Sequence, residues 1–563
     1  MKEEIAKLLA KEIKEAKLNP EEIESMLEIP PSIDMGDFSL PCFRLAGKLR
    51  KNPVQIADEL AGKIKKDKTI EKIEAKNGYL NFFVKKSNFA DEILGKINKD
   101  YGKGKEKGKK ELVMVEFSQA NTHKAFHVGH IRGTSIGESI SRILEFENAK
   151  VIRANYQGDT GMHVAKWLWC YLKYHKKEGL KEDEKWVAGI YVDAVKRLGE
   201  NEKLQQEVEE INRKLEEGKD KALVELWKKT RKLCLEALEK VYKELNTHFD
   251  KYYFESEVEK RGKEIAQELV KKGIAKISEE AAIMDLEKYG LSVWVLLRKD
   301  GTVLYSAKDI ALAYKKFEDF KLDRSLYMVA DEQNLHMRQL LKTLELMKFP
   351  QAKKCRHISY ALVRLPTGKM SSRTGDNILY SEFKEEMLDY AKKEIKKRWP
   401  KLKEKEIAER ALKISIAAIK YAMLRQDSNK VLVFSKESAM SFEGDTGPYL
   451  QYSYARASSI LKKSEKKPMS KIEAPEKLEE KEIELIKKIG DFPKIVEDAS
   501  RNLNPSIIAH YSFELAQVFN EFYHNCPVID SKQEEFRLKL VDSFRASLKN
   551  ALYLLGIEVM EEM

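Results

Sequence analysis

An apolar run, LVMVEF (112–117), passes through a polar loop into IRGTSIGESISRILEF (131–146) and then into KVIRANY (150–156). The first run reads as a buried strand. The second places its apolar residues at helical spacing, and the third reads as another strand. Such a β-loop-α-β unit belongs in a parallel sheet covered by helices, which makes the fold class α/β with a Rossmann-type core. SLYMVA (325–330) and ALVRL (361–365) are further strand candidates. VWVLLRKDGTVLYSAKD (293–309) predicts a hairpin around Asp300-Gly301 that leads into a helix near 309–317.

The rest of the chain has a different texture. The opening MKEEIAKLLAKEIKEA carries acids within its apolar repeat and predicts an amphipathic helix, where a signal peptide would be apolar. A Gly36-Asp37 turn, a helix near 53–66 and a strand-like NGYLNFFV (77–84) complete an N-terminal α+β region. YGKGKEKGKK (101–110) is a linker by composition. From about 174 to 285 charged helical patterns suggest an inserted helical segment, and beyond 381 helical patterns dominate. The expected division is 1–105, an N-terminal domain; 106–395, the α/β domain with its insertion; 396–440, a helical stem; and 441–563, an all-α bundle. A length of 563 residues agrees with three or four domains.

Composition narrows the function classes. Hydrophobic residues at 42% exclude a mainly disordered chain. No stretch approaches the ~18–20 uncharged apolar residues that span a bilayer, so no membrane partner and a cytoplasmic location are expected. The net charge of +12 suits a polyanionic partner. Residues 441–563, with 17 basic against 21 acidic, must meet any polyanion through local patches. The five cysteines are scattered singly without a C-x-x-C pair, so no protein-bound metal is expected.

Two short motifs carry chemistry. His127-Val128-Gly129-His130 closes the loop after the first strand and opens a helix, whose unpaired N–H groups and dipole favour phosphate. Gly129 admits close backbone approach, and His127 and His130 can donate to phosphoryl oxygens where charge develops. Some 240 residues later, Lys369-Met370-Ser371-Ser372-Arg373 lies in the glycine-flanked loop TGKMSSRTGDN, suited to closing over a triphosphate. Together they resemble the HIGH/KMSKS pair of class I aminoacyl-tRNA synthetases.

The flanking stretches EFSQAN (116–121), NYQGDTG (155–161), LYSAKD (304–309), DEQNLH (331–336) and GDTGPYLQYSYARASSIL (444–461) are similar to arginyl-tRNA synthetases. So are NGYLNFFV and FYHNCPV (522–528) at the two ends. The resemblance implies ATP-dependent attachment of L-arginine to tRNA(Arg) through an arginyl-adenylate. Mg²⁺ would ride on the nucleotide, and the chain is expected to act as a monomer. It further implies an N-terminal tRNA-binding addition, a DALR-type anticodon-binding bundle, and adenylate formation that requires bound tRNA.

Carried over by motif position, Glu116 and Asp309 are the acidic partners of the guanidinium. Ser118, Asn121, Tyr305 and Gln333 are polar contacts of arginine, and which end each one touches stays open. His127, Gly129, His130, His336, Lys369 and Met370 are expected at ATP, with Lys369, Ser371 and Arg373 in the catalytic loop. Ser372 replaces the motif's usual second lysine, and Lys124 is positioned to supply the missing charge. Ala120 stands where proline is common, and His163 where glutamine is usual. Tyr449, Tyr452 and Arg456 are candidate tRNA contacts; at helical spacing Tyr449, Tyr452 and Tyr454 fit core positions as well. The rival readings are a synthetase for another amino acid and a synthetase-derived RNA-binding protein without activity.

Overall fold

The computed structural model describes residues 1–30, 32, 35–65, 69–105, 108–365, 368–369, 379–468 and 473–563. The chain forms two compact units. One comprises Met1–Tyr101, Ala457–Asp491 and Gln517–Ser547; the other comprises Gly102–Arg456, Phe492–Ala516 and Leu548–Met563.

In the first unit α1 (Lys2–Glu12) and α2 (Pro20–Met26) are followed by β1 (Phe38–Pro41), α3 (Phe43–Leu49), α4 (Pro53–Lys63), β2 (Ile70–Lys76), β3 (Tyr79–Val84) and α5 (Lys86–Lys96). The strands pair antiparallel in the order β1-β3-β2. Asn19 caps α2 by accepting from the Glu22 amide at 2.8 Å, and Pro20 at the first helical position forfeits no bond. Ile5, Leu9, Leu40 and Phe82 fill the core beneath the sheet. The Asp37 carboxylate accepts from the Val84 amide at 3.0 Å and pairs with Lys86 and with Lys487 at 2.9 Å.

The second unit is built on β4 (Leu112–Glu116), β5 (Lys150–Gln157) and β6 (Lys251–Phe254). After β6 come β7 (Lys276–Ser278), β8 (Ala281–Asp285) and β9 (Val293–Leu297), a separate antiparallel sheet. β10 (Arg324–Ala330) and β11 (Cys355–Tyr360) return to the main sheet. Among the described residues that sheet has five strands, all parallel, in the order β11-β10-β4-β5-β6. α6 (Val128–Phe146) crosses from β4 to β5 and is buried along nearly its whole length. Gly137 makes that approach possible, because a Cβ there would come within 2.2 Å of the Phe117 ring.

Three expectations need correction or refinement. The stretch over about 174–285 is not helical throughout. It holds α8 (Glu184–Glu200), α9 (Gln205–Glu217) and α10 (Lys221–Glu244), which follow α7 (Met162–Cys170), and also α11 (Glu255–Lys271); yet β6 lies inside it and pairs with β5. Four residues of Lys-Tyr-Tyr-Phe between charged helices are too short a run for periodicity to register. The hairpin at 293–309 forms around Asp300-Gly301 but is short, with Arg298 N–H to the Thr302 carbonyl at 3.0 Å, Leu297 bridging Val303 and Leu304 N–H to the Leu296 carbonyl at 3.1 Å; β9's main partner is β8. β11 went unforeseen because Arg356 and His357 interrupt its apolar pattern.

Two further helices, α12 (Tyr305–Asp319) and α13 (Asn334–Leu346), flank β10 in sequence. β12 (Val363–Leu365) and β13 (Gly368–Lys369) pair antiparallel, and β14 (Leu432–Val433) pairs parallel with β12. The remaining chain is α14 (Tyr380–Arg398), α15 (Glu404–Leu424), α16 (Lys436–Ala439), α17 (Gly447–Lys463), α18 (Glu480–Gly490), α19 (Phe492–Asn502), α20 (Ser506–Asn525) and α21 (Glu534–Leu554). No helix among the described residues is long and apolar enough to cross a membrane.

Candidate active site at the carboxyl ends of the parallel strands

β4 has β5 on one side and β10 on the other, so the chain leaves it in one direction and returns in the opposite one. That reversal opens a crevice at the strands' carboxyl ends. Glu116 ends β4, Gln157 ends β5, Glu255 follows β6 and Asp331 follows β10.

The helix start lies on one side of this crevice. His127 is the N-cap of α6 in extended conformation, and its backbone N–H donates to His130 Nδ1 at 3.2 Å. The two imidazoles lie 3.8 Å apart, with Phe126 stacked against His130 at 5.1 Å. Burial, and then the positive charge of Lys124, push His127 down to about 4; burial, His127 and Lys124 hold His130 well below its ordinary value. Both rings are therefore neutral near pH 7 and carry one N–H each. His127 Nδ1 is buried and has no hydrogen-bond partner among the described residues. At Gly129 a Cβ would press to 3.0 Å on the His127 ring, so glycine is what lets that ring fold over its own helix start. Lys124 is held below its usual value by burial and by Lys166, with Glu255 opposing. His163 Nε2–H donates to the Gly158 carbonyl at 3.2 Å and lies against the same loop.

The acidic side is more selective. Asp309, in the second turn of α12, meets His336 Nε2 at 2.6 Å. Trp294 Nε1–H, a donor with no acceptor capacity, points at His336 Nδ1 at 3.2 Å. Nδ1 must accept, so the proton sits on Nε2 and is donated to Asp309. Hence, among the described residues, a hydrogen bond and no fixed cation holds the Asp309 charge. Tyr305 lies with its ring 4.7 Å from His336 and is 55% exposed, a wall open to solvent. Gln333 is exposed at the start of α13. His336, expected at ATP, is thus placed against Asp309 and Tyr305.

Glu116 departs from expectation. It is 3% exposed and forms a 2.5 Å ion pair with Lys316, itself fully buried over the Tyr327 ring at 3.7 Å. Gln119 adds a contact at 3.3 Å. A carboxylate already compensated by a buried ammonium is not the free anion a guanidinium requires. Ser118 is also committed. Its hydroxyl accepts from Thr134 at 2.6 Å and donates to Tyr242 at 3.3 Å, and its backbone is held at φ +59°. Asn121 accepts from the Gly158 amide at 3.1 Å, which ties the β4–α6 loop to NYQGDTG. Asp159 of that motif is an anchor too, pairing with Arg231 at 2.7 Å and accepting from Ser256.

Tyr156 lies in the NYQGDTG stretch, whose pattern assigns it no role. Its buried hydroxyl has no partner among the described residues, nor does the Gln157 amide. Burial, and then Asp309, Glu255, Glu116 and Asp159, push the Tyr156 hydroxyl well above its usual range. One donor therefore faces both expected acids from the centre of the crevice. Lys308, shared between Glu255 and Glu259 at 3.1 Å each, balances one of those two charges and is committed away from Asp309.

Met370, Ser371, Ser372 and Arg373 lie outside the described residues, as does the side chain of Lys369. The backbone on either side is informative. Lys369 ends β13, and at the downstream end Leu379 bridges His127 while the Tyr380 amide donates to the Phe126 carbonyl at 2.9 Å. The chain downstream of the second motif is thus joined to the first motif through main-chain bonds. Arg132, fully buried in α6, donates to the carbonyls of Ala361, Leu362, Asp427 and Lys430 at 2.7–3.3 Å, fixing the approach to β12.

Tyr449, Tyr452 and Arg456 are half-buried on α17. Arg456 stacks over the Tyr452 ring at 4.9 Å, and Tyr449 packs on Phe513 at 5.8 Å. Tyr454 is buried and donates to Glu561 at 3.1 Å, as a core residue would. Among the described residues no three metal-ligating groups converge in the crevice.

The comparisons agree with this geometry. Residues 92–435 match the family model of the catalytic domain of class I (R) tRNA synthetases, 450–563 the DALR anticodon binding domain, and 3–84 the arginyl tRNA synthetase N terminal domain. The chain is 38% identical to the arginine–tRNA ligase of Clostridium perfringens, covering 99% of both chains. It is 36% identical to that of Bdellovibrio bacteriovorus, covering 96% of this chain and 95% of the relative. Among solved structures, the Thermus thermophilus arginyl-tRNA synthetase superposes with a TM-score of 0.80 at 27% identity, covering 100% of both chains. A parallel sheet with this crevice, carrying those matches along its whole length, belongs to the arginyl-tRNA synthetase family of class I synthetases.

Proposed function

We infer that this protein attaches L-arginine to tRNA(Arg) at the expense of ATP. The arginine carboxylate attacks the α-phosphate, and pyrophosphate leaves as arginyl-adenylate forms. A terminal ribose hydroxyl of the tRNA then attacks the acyl carbon, and AMP departs. Rate comes from positioning and from donors aimed at developing charge.

The observation that carries this reading is the Asp309 carboxylate, held at 2.6 Å by a His336 proton whose place Trp294 dictates. It supplies a fixed anion with no competing cation among the described residues. Asp309 takes the guanidinium, Tyr305 and Tyr156 flank it, and Asn121 and Gln333 serve the α-amino and carboxylate end. Glu116 stays with Lys316 as a support of the pocket floor. The neutral His127 and His130 donate to phosphoryl oxygens at the start of α6, and Lys124 adds charge in place of the lysine that Ser372 replaces. Lys369, Met370, Ser371 and Arg373 close over the triphosphate, whose Mg²⁺ rides with the nucleotide. Tyr449, Tyr452 and Arg456 meet the tRNA; the protein works as a cytoplasmic monomer, divided as its sequence suggests, and needs bound tRNA to form the adenylate.

ATP–pyrophosphate exchange across all twenty amino acids, with and without tRNA, tests the assignment. Exchange with arginine, dependent on tRNA, is expected. Exchange with another amino acid and never arginine would overturn it, and silence throughout would favour the RNA-binding alternative.

A further inference from the structure

α7 ends at Cys170 and continues as a π-helical turn over Tyr171–His175. In an α-helix, residues five apart point about 140° away from each other. The wider i→i+5 turn brings them toward one face, and such turns recur at functional sites. Here it sets Cys170 and His175 together opposite Asp193 of α8. Cys170 Sγ lies 3.4 Å and His175 Nε2 3.0 Å from Asp193 Oδ2, and the three ligating atoms are all within 4.8 Å of one another. Among the described residues no other trio of this kind exists.

We propose that Cys170, His175 and Asp193 bind a zinc ion that ties the π turn to α8 within the insertion. A thiolate, an imidazole and a carboxylate form a donor set of mixed softness that suits Zn²⁺, and two negative charges balance the ion. Tetrahedral zinc holds its N, O and S ligands about 3.3–3.6 Å apart, so the two contacts of Asp193 open by a few tenths of an ångström while Cys170 and His175, within 4.8 Å, draw together. The surroundings match what metal ligands need. His175 Nδ1 lies 2.6 Å from Glu178, which is itself held by Trp186 Nε1–H at 2.8 Å, giving the carboxylate–histidine pair that orients a ligating imidazole. Arg197 Nε donates to that same Asp193 Oδ2 at 2.8 Å, which steadies the carboxylate and leaves the oxygen its other lone pair for the ion. Cys170 is buried while His175 and Asp193 are 22% and 25% exposed at their side chains, so the fourth position faces solvent and water completes it. On binding, the Cys170 thiol loses its proton, as does His175 Nε2 where it carries one. The His175 Nδ1 proton stays with Glu178, and affinity rises with pH.

Chelator-treated full-length protein is titrated with Zn²⁺ and, separately, with Co²⁺ as a spectroscopic probe. One equivalent is expected to bind, with a thiolate-to-cobalt charge-transfer band and the strong visible absorption of tetrahedral cobalt. Cys170→Ser should abolish that band, and Asp193→Asn should weaken binding at least tenfold. Glu178→Gln, which leaves every ligand in place, should weaken it about 10–100-fold. Circular dichroism checks that each variant folds; if Cys170→Ser does not, Glu178→Gln decides. Equal zinc affinity in wild-type protein and in the folded variants, or a cobalt spectrum without the thiolate band, would overturn the site.

Discussion

Replacing Asp309 by Asn removes one charge and little else. The amide oxygen can still accept the His336 Nε2 proton, so His336, Trp294 and Tyr305 should keep their places. What is lost is the anion that a guanidinium would meet. Breaking a buried charge pair typically costs ~3–5 kcal/mol, and each 1.36 kcal/mol is tenfold in rate. The Asp309 side chain is 18% exposed, which favours the lower end, so kcat/KM for arginine should fall by roughly 10²–10³. The KM for ATP should hardly move, because His127 and His130 depend on none of these groups. Discrimination between arginine and citrulline, its uncharged isostere, should shrink by a similar factor. Aminoacylation kinetics at varied arginine, together with a thermal melt, measure all three quantities. A kcat/KM within threefold of wild type in a normally folded variant would refute the assignment of the charge to Asp309.

Lys316→Met leaves Glu116 buried without its cation and should destabilise the protein by ~3–5 kcal/mol in urea unfolding, with Glu116→Gln in that background recovering most of the loss; a neutral single variant would show that the pair does not form. His123 and His163 are pushed down to about 3, and His127 to about 4, chiefly by burial, while an unfolded histidine titrates near 6.5. Between those values the unfolded chain binds more protons, so stability should be complete above pH 6.5 and decline as pH falls toward 4. An unfolding midpoint that stays flat from pH 7 to pH 5 would contradict their burial. Arg132→Met strands four carbonyls and, at ~1–3 kcal/mol for each buried unpaired group, should cost at least ~3 kcal/mol; a loss under 1 kcal/mol would mean those carbonyls find other partners.

The parallel sheet was legible because β4 and β10 carry nearly unbroken apolar runs and the Val151-Ile152 start of β5 follows a helix of clear periodicity. β6 and β11 sit at the sheet's edges, where a short aromatic run or a pair of cations suffices, and no pattern announces them. The site divides in the same way. HVGH and Asp309 were identifiable through their motifs, whereas Lys316 looks like any lysine in AYKKFEDF. Its helix phase held a clue: seven residues after Asp309, it falls on the same face of α12. Trp294 and Tyr156 act on their partners across strands, and no local spacing records such contacts. The thiol at Cys170 seemed isolated because a five-residue separation from His175 carries no meaning until the helix is known to widen there.

β5 and β6 are neighbours in the sheet, yet 93 residues separate the end of one from the start of the other. The excursion through α7–α10 departs from and returns to adjacent positions on a rigid platform. Its length is therefore nearly free: lengthening or trimming a loop between α8 and α9 should leave the spacing of Glu255, Tyr156 and Asp309 untouched. A graft or tag placed in the loop between α8 and α9 is therefore the gentlest way to enlarge this protein, whereas α10 must keep its place because Arg231 and Tyr242 hold Asp159 and Ser118.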